Sequence, residues 1–408
     1  MNESKTQQRK KILFIHHGTG IGGASLSLLY LVQSLDKKQF EPFVLFMQDS
    51  AAVTMFLEHK INTLGPLNLS DFSHTKIWWY RWYHPHHLFK AIRDSLKLLF
   101  FVATTWLKEI KPDIVHLNTS SLFAWAIIAR HNNIPVFWHI REPLADGYFG
   151  LRKKFISWVV GKFANIIIPI CQDNAQPWIK NNKMHVVYNA VPEDKFKPVF
   201  FSSVVEKKTN NNFKQKKGHS VLFLGGLSQE KGTLLLLQSW QLVLQQLPNE
   251  QLIIAGAWKP KFGIFNNRLS LTSWHRYCKK TTRLLEILKN NVKIIGVQQD
   301  VPQLLRQTDL LAFPATEGHF ARPVIEAGFM QKPAVATDLA PMRELILDGE
   351  TGLLSTPNNA KDLALKIILI LKNKAVAESL GQKAAQFCHE RFGLKKQQKI
   401  MAKLYKKA

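Results

Sequence analysis

The chain is poor in cysteine, poor in acidic residues and without a long apolar run. Its three cysteines, Cys171, Cys278 and Cys388, include no Cys-x-x-Cys pair, which fits a reducing compartment and predicts no cysteine-ligated metal cluster. No stretch of about 18 uncharged apolar residues occurs, so we expect no membrane-spanning helix. The apolar run at 12–15 is broken at once by His16, which indicates a first strand and not a signal peptide.

Basic residues greatly outnumber acidic ones. The 408 residues include 55 Lys and Arg against 29 Asp and Glu, a formal net charge of +26. An excess this large predicts an anionic partner: a phospholipid surface, a phosphate-bearing substrate or nucleic acid. Four tryptophans between Trp78 and Trp106, together with the amphipathic and basic stretch 88–108, favour a membrane surface. The alternative is a surface helix whose aromatic rings dock into the core.

Apolar runs of strand length form two series separated by a polar, basic segment without periodicity. The runs are continuous, as expected of parallel strands covered on both faces, and helical segments such as 25–35 lie between them. The predicted strands are 11–16, 42–47, 113–118, 136–140, 165–170 and 185–189 in the first series, and 220–225, 251–256, 292–296, 310–314 and 333–337 in the second.

This alternation predicts an α/β fold with two doubly wound, Rossmann-like parallel-sheet domains facing across a cleft. Residues 1–198 would form the N-terminal domain and 219–385 the C-terminal domain. A basic linker, 199–218, would join them. Residues 386–408 would form a basic C-terminal helix that packs back on the N-terminal domain.

A glycine-rich loop follows the first strand of each series. Residues 18–25 and 225–233 each combine glycines with the start of a helix. Glycine lets the backbone approach a ligand closely, and a helix N-terminus favours anions, so each loop is a candidate phosphate site. For the lysine of the second loop the alternative is an ordinary solvated side chain. The candidate residues are Gly22, Gly23, Lys231 and Gly232.

The segment 317–328 carries the most informative motif. It lies between two strand-like runs, so the polar loop and the helix expected to start at Glu326 would lie at the carboxyl edge of a parallel sheet. Open α/β sheets bind ligands there. A carboxylate accepts two hydrogen bonds, and paired sugar hydroxyls offer two donors. The alternative is that Glu326 is a first-turn residue complementing the helix dipole.

Together these motifs resemble those of the nucleotide-sugar glycosyltransferases of group 1, or family 4, whose fold is called GT-B. The resemblance rests on Gly-Gly-Ala at 22–24, Gly-x-Leu-x-x-x-Lys-Gly at 225–232 and Arg-Pro-Val-Ile-Glu-Ala at 322–327, and it is densest over 220–365. It implies a hexosyltransferase-type enzyme of EC class 2.4 that moves a sugar from a UDP- or GDP-sugar to a glycan or lipid-linked acceptor. Such enzymes are usually retaining, use no metal or other cofactor, and build cell-surface polysaccharide or lipopolysaccharide.

The resemblance also implies roles for single residues, with the acceptor on the N-terminal domain and the nucleotide sugar on the C-terminal one. Glu326 would hold the ribose hydroxyls, and Lys231 would neutralise the diphosphate leaving group. Gly22 and Gly23 would lie over the diphosphate or beside the acceptor. His139 matches a histidine beside the transferred sugar; the alternative is a hydrogen-bonded strand-end histidine. The other first-domain candidates, on the acceptor side or supporting it, are Arg141 and Asn189.

Three positions depart from the family pattern. One is Asn165, where an aspartate is more frequent, and the other two are on the donor side. Gly318 stands where the first acid of a Glu-x7-Glu pair is usual, so either Glu317 serves instead, or His319 or backbone amides contact the sugar hydroxyls. Gly226 stands where an arginine is common, and Arg322 is the candidate replacement cation on the donor side.

Two other functions stay open. A non-catalytic GT-B-like scaffold would tolerate Gly226 and Gly318. A basic nucleic-acid-binding protein would explain the charge, but the lysines are scattered and no nucleic-acid-binding module is recognised, so we expect no specific nucleic acid partner. We expect a cytoplasmic protein in peripheral contact with anionic lipid on the inner face of the cell membrane.

Overall fold

The computed structural model describes the chain in six segments, 9–18, 20–72, 85–144, 146–197, 218–258 and 273–408. The chain divides into two compact units: unit 1 is Met1–Val191 with Phe392–Ala408, and unit 2 is Pro192–Arg391. Of the predicted linker, 199–218, only Gly218 lies within the described residues. Three of the four clustered tryptophans, at 78, 79 and 82, also lie outside them.

The described part of unit 1 contains a six-stranded, all-parallel sheet in the order β3-β2-β1-β4-β5-β6. This is the strand order of the doubly wound dinucleotide-binding fold. Its strands are β1 Lys10–His16, β2 Phe40–Phe46, β3 Asn62–Leu64, β4 Ile114–Leu117, β5 Val136–Ile140 and β6 Ile166–Pro169. The α-helices of unit 1 that precede unit 2 in the chain are α1 Gly23–Ser34, α2 Ala51–Glu58, α3 Pro85–Lys97, α4 Ala103–Ile110, α5 Phe123–His131, α6 Leu151–Phe163 and α7 Gln172–Ala175.

The described part of unit 2 repeats this arrangement, with the parallel order β12-β11-β10-β7-β8-β9. Its strands are β7 Ser220–Phe223, β8 Gln251–Ala255, β9 Val292–Gly296, β10 Leu310–Phe313, β11 Ala334–Thr337 and β12 Leu353–Ser355. The remaining helices are α8 Thr233–Gln246, α9 Ser273–Leu288, α10 Val301–Arg306, α11 Arg322–Phe329, α12 Ala360–Lys372, α13 Lys374–Phe392 and α14 Leu394–Lys406. The predicted α/β fold class is thus confirmed.

One predicted strand is wrong and two were missed. Residues 185–189 run beside β6, where the amides of His185 and Val187 each donate to a β6 carbonyl at 2.9 Å, but they form no continuous strand. The missed strands, β3 and β12, have only three residues each, too few to show an apolar pattern. Among the described residues, no helix combines the length and the apolar character needed to cross a bilayer.

The last helix, α14, belongs to unit 1 although unit 2 precedes it in the chain. Its apolar face, Met401, Leu404 and Tyr405, is buried in the core that lies on one side of the first sheet. Nε2 of Gln397 also donates to the carbonyl of Tyr188 at 2.9 Å. Helix α14 therefore contributes directly to the core of unit 1, the unit that contains the candidate residues His139, Arg141 and Asn189.

Candidate functional site

In both units the glycine-rich loop lies at the carboxyl edge of the sheet, where the strand order reverses. In unit 1 this point lies between β1 and β4, and in unit 2 between β7 and β10. Ligands of doubly wound folds bind in the crevice at such a point. Each glycine-rich loop follows the central strand beside it, so topology alone places both loops at a ligand crevice.

A buried hydrogen-bond chain anchors the glycine-rich loop of unit 1. Oγ of Ser25 donates to the carbonyl of Gly20 at 2.7 Å and therefore accepts from Nε2 of His16 at 3.0 Å. Burial lowers the pKa of His16 well below its ordinary value, so the ring is neutral. Gly22 precedes the first residue of α1, and a Cβ at Gly22 or Gly23 would meet no atom of the described residues within 4 Å. Hydrogen bonds from buried side chains therefore hold the loop in place, while the space next to Gly22 and Gly23 is not filled by the described residues.

Arg141, which directly follows β5, is a buried cation held by amide oxygens. Its Nε donates to Oδ1 of Asn118 at 2.7 Å, and its Nη1 donates to Oδ1 of Asn189 at 2.6 Å. Its Nη2 is buried and makes no hydrogen bond within the described part of the chain. Burial lowers the pKa of Arg141 to about 10, so the guanidinium stays charged near neutral pH. The structure thus brings two candidates, Arg141 and Asn189, into direct contact.

His139 lies on β5 with one ring nitrogen bonded and the other not. Its Nδ1 is 3.2 Å from Nε2 of His116, whose Nδ1 is 2.8 Å from Oη of Tyr405. Nε2 of His139 is buried without a hydrogen-bond partner among the described residues. Burial, with the nearby charge of Arg141, lowers the pKa of both histidines well below the ordinary value. His139 therefore presents a neutral ring with one nitrogen available.

Sequence reasoning missed the polar residues that follow β4. Residues 118–121, Asn-Thr-Ser-Ser, are all buried, and this run of polar residues directly after an apolar strand was the available signal. Oγ1 of Thr119 donates to Glu142 at 3.2 Å, and Oγ of Ser121 donates to Asp71. Burial raises the pKa of Glu142. An acidic group thus lies at the same edge as the predicted histidine.

In unit 2 the loop after β7 is tied to the loop after β10. The amide of Thr316 donates to the carbonyl of Glu230 at 2.9 Å, and its Oγ1 donates to the carbonyl of Gln229 at 2.8 Å. Gly232 has a φ of +82°, and a Cβ there would lie 1.7 Å from the carbonyl oxygen of Pro314. Only glycine fits at this position, which directly precedes α8.

Lys231 and His319 lie close enough for the charge of Lys231 to act on the His319 ring. Burial lowers the pKa of Lys231. Burial and then the charge of Lys231 lower the pKa of His319 to about 4. The His319 ring stacks on Phe313, with the ring centroids 5.7 Å apart. A desolvated cation beside a neutral imidazole, near the N-terminus of α8, suits an anionic ligand.

The acidic motif is placed differently from the prediction, because α11 begins at Arg322 and not at Glu326. Pro323 occupies the first turn, where proline is favoured, so the helix starts four residues earlier. Glu326 lies in the second turn, 3% exposed. Its Oε1 accepts from Nε of Arg322 at 2.6 Å. The interpretation of Glu326 as a first-turn residue was therefore wrong.

Gly226 and Gly318, the two donor-side positions that depart from the family pattern, differ in the space available for a side chain. Gly226 has a φ of +60°, and a Cβ there would lie 2.5 Å from the carbonyl oxygen of Ala257, so this backbone admits no side chain. At Gly318 a Cβ would lie 3.7 Å from Pro341, an ordinary contact. The neighbouring Glu317 is exposed. An arginine is sterically excluded at 226, whereas an acid at 318 is not.

Two family models match adjoining halves of the chain. The model for glycosyl transferases group 1 matches residues 204–387, and the model for glycosyltransferase family 4 matches residues 21–195. Together they cover most of the sequence, and the boundary between them falls near the boundary between the two units.

Individual proteins are similar at lower identity. An uncharacterised glycosyltransferase of Methanocaldococcus jannaschii is 26% identical over 271 residues, 61% of this chain and 60% of that protein, which is less than two thirds of its length. The N,N'-diacetylbacillosaminyl-diphospho-undecaprenol α-1,3-N-acetylgalactosaminyltransferase of Campylobacter jejuni is 25% identical over 307 residues, 71% of this chain and 76% of that protein. The crystal structure of Anabaena HepE in complex with UDP and glucose matches with a TM-score of 0.76 at 20% identity, covering 98% of this chain and 100% of that one, and it shows the shared fold.

Proposed function

The chain belongs to the group 1 and family 4 glycosyltransferases, and from that premise we propose that it transfers a sugar from a nucleotide-diphosphate sugar to a glycan or lipid-linked acceptor. The observation that carries the proposal is the desolvated Lys231 beside His319 at the strand-order reversal of unit 2. The named activity of the Campylobacter jejuni relative, which acts on a diphospho-undecaprenol-linked sugar, supports a lipid-linked acceptor and a place in cell-surface polysaccharide assembly.

The donor would bind to unit 2 through its diphosphate. When the bond between the anomeric carbon and the diphosphate oxygen breaks, negative charge develops on the leaving group. Lys231 and the backbone amides at the start of α8 would stabilise that charge, and a desolvated cation does so more strongly than one in water. This supports transfer without a metal ion, with retention of configuration as the family resemblance implies.

Glu326 would accept hydrogen bonds from the two ribose hydroxyls. Arg322 holds Oε1 of that carboxylate, so its remaining lone pairs have a fixed direction. This ion pair favours a positioning role for Arg322 over a phosphate contact. Glu317 or His319, on either side of Gly318, would contact the hydroxyls of the transferred sugar.

Unit 1 would contribute the acceptor side. The open glycine-rich loop with Gly22 and Gly23 leaves room for substrate, and the free ring nitrogen of His139 supports a contact with the transferred sugar. Arg141 and Asn189, bonded to each other, would support this edge.

We also propose peripheral contact between unit 1 and anionic lipid. Phe89, Phe100 and Phe101 are each about 70% exposed, and Lys90 and Lys97 lie on the same exposed stretch. Aromatic and cationic side chains together suit a bilayer interface. Of the tryptophans on which the sequence prediction rested, Trp106 packs partly against the core, so the phenylalanines carry the proposal.

A calorimetric panel of UDP, GDP, ADP and TDP, followed by the matching sugars, tests the donor assignment. We expect one diphosphate to bind, and Lys231→Ala to weaken that binding by about 1.5–3 kcal/mol without changing the affinity for the nucleoside. Lys289→Ala, which removes an exposed lysine of the same unit, is the matched control. Full turnover and unchanged diphosphate affinity in Lys231→Ala would contradict the proposal.

A further inference from the structure

The last helix reaches the candidate histidine of unit 1 through Tyr405. The Tyr405 ring is fully buried among three phenylalanines, with centroid distances of 6.4 Å to Phe14, 5.8 Å to Phe40 and 5.1 Å to Phe137. Nζ of Lys10 holds the Tyr405 carbonyl at 3.4 Å. The position of the phenol hydroxyl is therefore fixed by packing on several sides.

The hydroxyl starts a chain of three side chains. Oη of Tyr405 is 2.8 Å from Nδ1 of His116, and Nε2 of His116 is 3.2 Å from Nδ1 of His139. Burial lowers the pKa of both histidines, so each ring is neutral and has one donor and one acceptor nitrogen. The chain of hydrogen bonds can therefore run in only two directions.

In the first direction Tyr405 donates to Nδ1 of His116, and Nε2–H of His116 donates to Nδ1 of His139. His139 then carries its proton on Nε2. In the reverse direction the Tyr405 hydroxyl accepts from His116, and its own proton has no acceptor among the described residues.

The cost of a buried unpaired donor decides between them. The reverse direction leaves the Tyr405 proton unpaired inside an aromatic core at 0% exposure, and buried polar hydrogens are almost always bonded. The first direction pairs every hydrogen of the chain except the one on Nε2 of His139. His139 is the second-last residue of β5, next to the edge where doubly wound folds bind ligands, so a ligand there is the candidate partner for that hydrogen.

We infer that Tyr405 and His116 are positioning residues that hold His139 as its Nε2–H tautomer, so that His139 donates a hydrogen bond to an oxygen of the transferred sugar. The inference rests on the proposed function for the identity of that partner. It makes His139 a donor and not a base, because its Nε2 already carries the proton. A donor sugar lacking the contacted oxygen would lose this interaction.

Nitrogen-15 NMR of the histidine rings tests the tautomer in the full-length protein, with the His139 signals identified by their loss in His139→Gln. In the wild-type protein we expect a proton on Nε2 and none on Nδ1 of His139. Tyr405→Phe keeps the ring but removes the donor, so we expect signals of both tautomers and a kcat about fivefold lower, with the KM for the donor within twofold. Tyr30→Phe, which removes the hydroxyl of another buried tyrosine of unit 1, should change neither.

Three results would count against the inference. A wild-type His139 protonated on Nδ1 overturns the direction of the chain, whether or not any variant folds. An unchanged tautomer and kcat in Tyr405→Phe overturn the positioning role. A changed tautomer with unchanged kcat leaves the chain of hydrogen bonds intact and overturns the contact of His139 with the sugar, which separates this inference from the proposed function.

Discussion

Nε of Arg322 lies 2.6 Å from Oε1 of Glu326, one helical turn further along α11, and the two side chains are only 12% and 4% exposed. Residues four apart share one face of a helix, so the pairing follows from the position at which α11 begins. A buried ion pair adds little net stability but fixes the direction of both groups. The cation of the acidic motif is therefore engaged by the acid of the same motif.

Arg322→Ala should weaken the binding of the nucleoside and of its diphosphate by the same factor. The free energy of unfolding should also fall by about 3 kcal/mol, because the variant leaves the Glu326 carboxylate buried without its cation. Calorimetric titration with both ligands and urea denaturation measure the two effects. A loss confined to the diphosphate would show that Arg322 contacts phosphate.

The Arg322–Glu326 pair shows how much of the site could be predicted from the sequence. The residue spacing of 322 and 326 is visible in the sequence, but the predicted helix start at Glu326 hid it. The proline at 323 was the available signal for an earlier start. The spacing of the two residues would therefore have been sufficient to predict their contact if the start of the helix had been predicted correctly.

Other parts of the site could not be predicted from local patterns. The strands and both glycine-rich loops follow from apolar runs and their spacing, because parallel strands buried on both faces leave a continuous signal. His116 and Tyr405 lie 289 positions apart, and neither stands in a motif. Their contact depends on how the side chains of α14 pack within unit 1, a tertiary detail that periodicity does not encode.

The glycines at 226 and 318 should respond in opposite ways to a side chain. Gly226→Ala should destabilise the protein by about 1–3 kcal/mol, because the backbone has a positive φ and the new Cβ would overlap Ala257. Gly318→Glu should leave the melting temperature nearly unchanged and tighten binding of the donor sugar, since it places an acid where the family usually has one.

Differential scanning calorimetry and donor titration measure both variants, and Gly318→Ala controls for the loss of glycine. A stable Gly226→Ala would show that the loop can move away from Ala257. Unchanged donor affinity in Gly318→Glu, with a native melting temperature, would show that Glu317 or His319 already makes the contact.

Stability should fall on acidification between about pH 6.5 and pH 4, in part because of His319. Burial depresses its folded pKa to about 4, below the ordinary value of about 6.5. Between these values the unfolded state binds the proton and the folded state does not, so the free energy of unfolding decreases as pH falls, by up to about 1.4 kcal/mol per pH unit for one such group. Below the folded pKa this contribution is constant.

His319→Gln isolates this contribution, because His16, His116 and His139 have pKa values shifted in the same direction and remain in place. Urea denaturation from pH 7 to pH 4 should give a shallower pH dependence for the variant, by close to one proton. Equal slopes for the two proteins would mean that His319 titrates near its ordinary pKa in the folded state.

The exposed phenylalanines of unit 1 should mediate binding to anionic vesicles. Phe89 and Phe100 are each 69% exposed, so replacing both by serine removes membrane contacts while leaving the core intact. We expect the wild-type protein to sediment with anionic vesicles and not with neutral ones. High salt should weaken this binding, because each basic residue near the surface contributes about 1 kcal/mol through a screened attraction.

The double variant should lose vesicle binding while keeping the native circular dichroism spectrum, and Ile287→Ser, which replaces a residue 60% exposed on unit 2, should bind as the wild type does. A loss of ellipticity in the double variant would place those rings in the core, where their removal unfolds the domain. A wild-type protein that ignores anionic vesicles at low salt would exclude a membrane face on this stretch. The excess of basic residues would then have to be explained by phosphate-bearing substrates, because the same charge that attracts lipid also attracts the diphosphate of a donor.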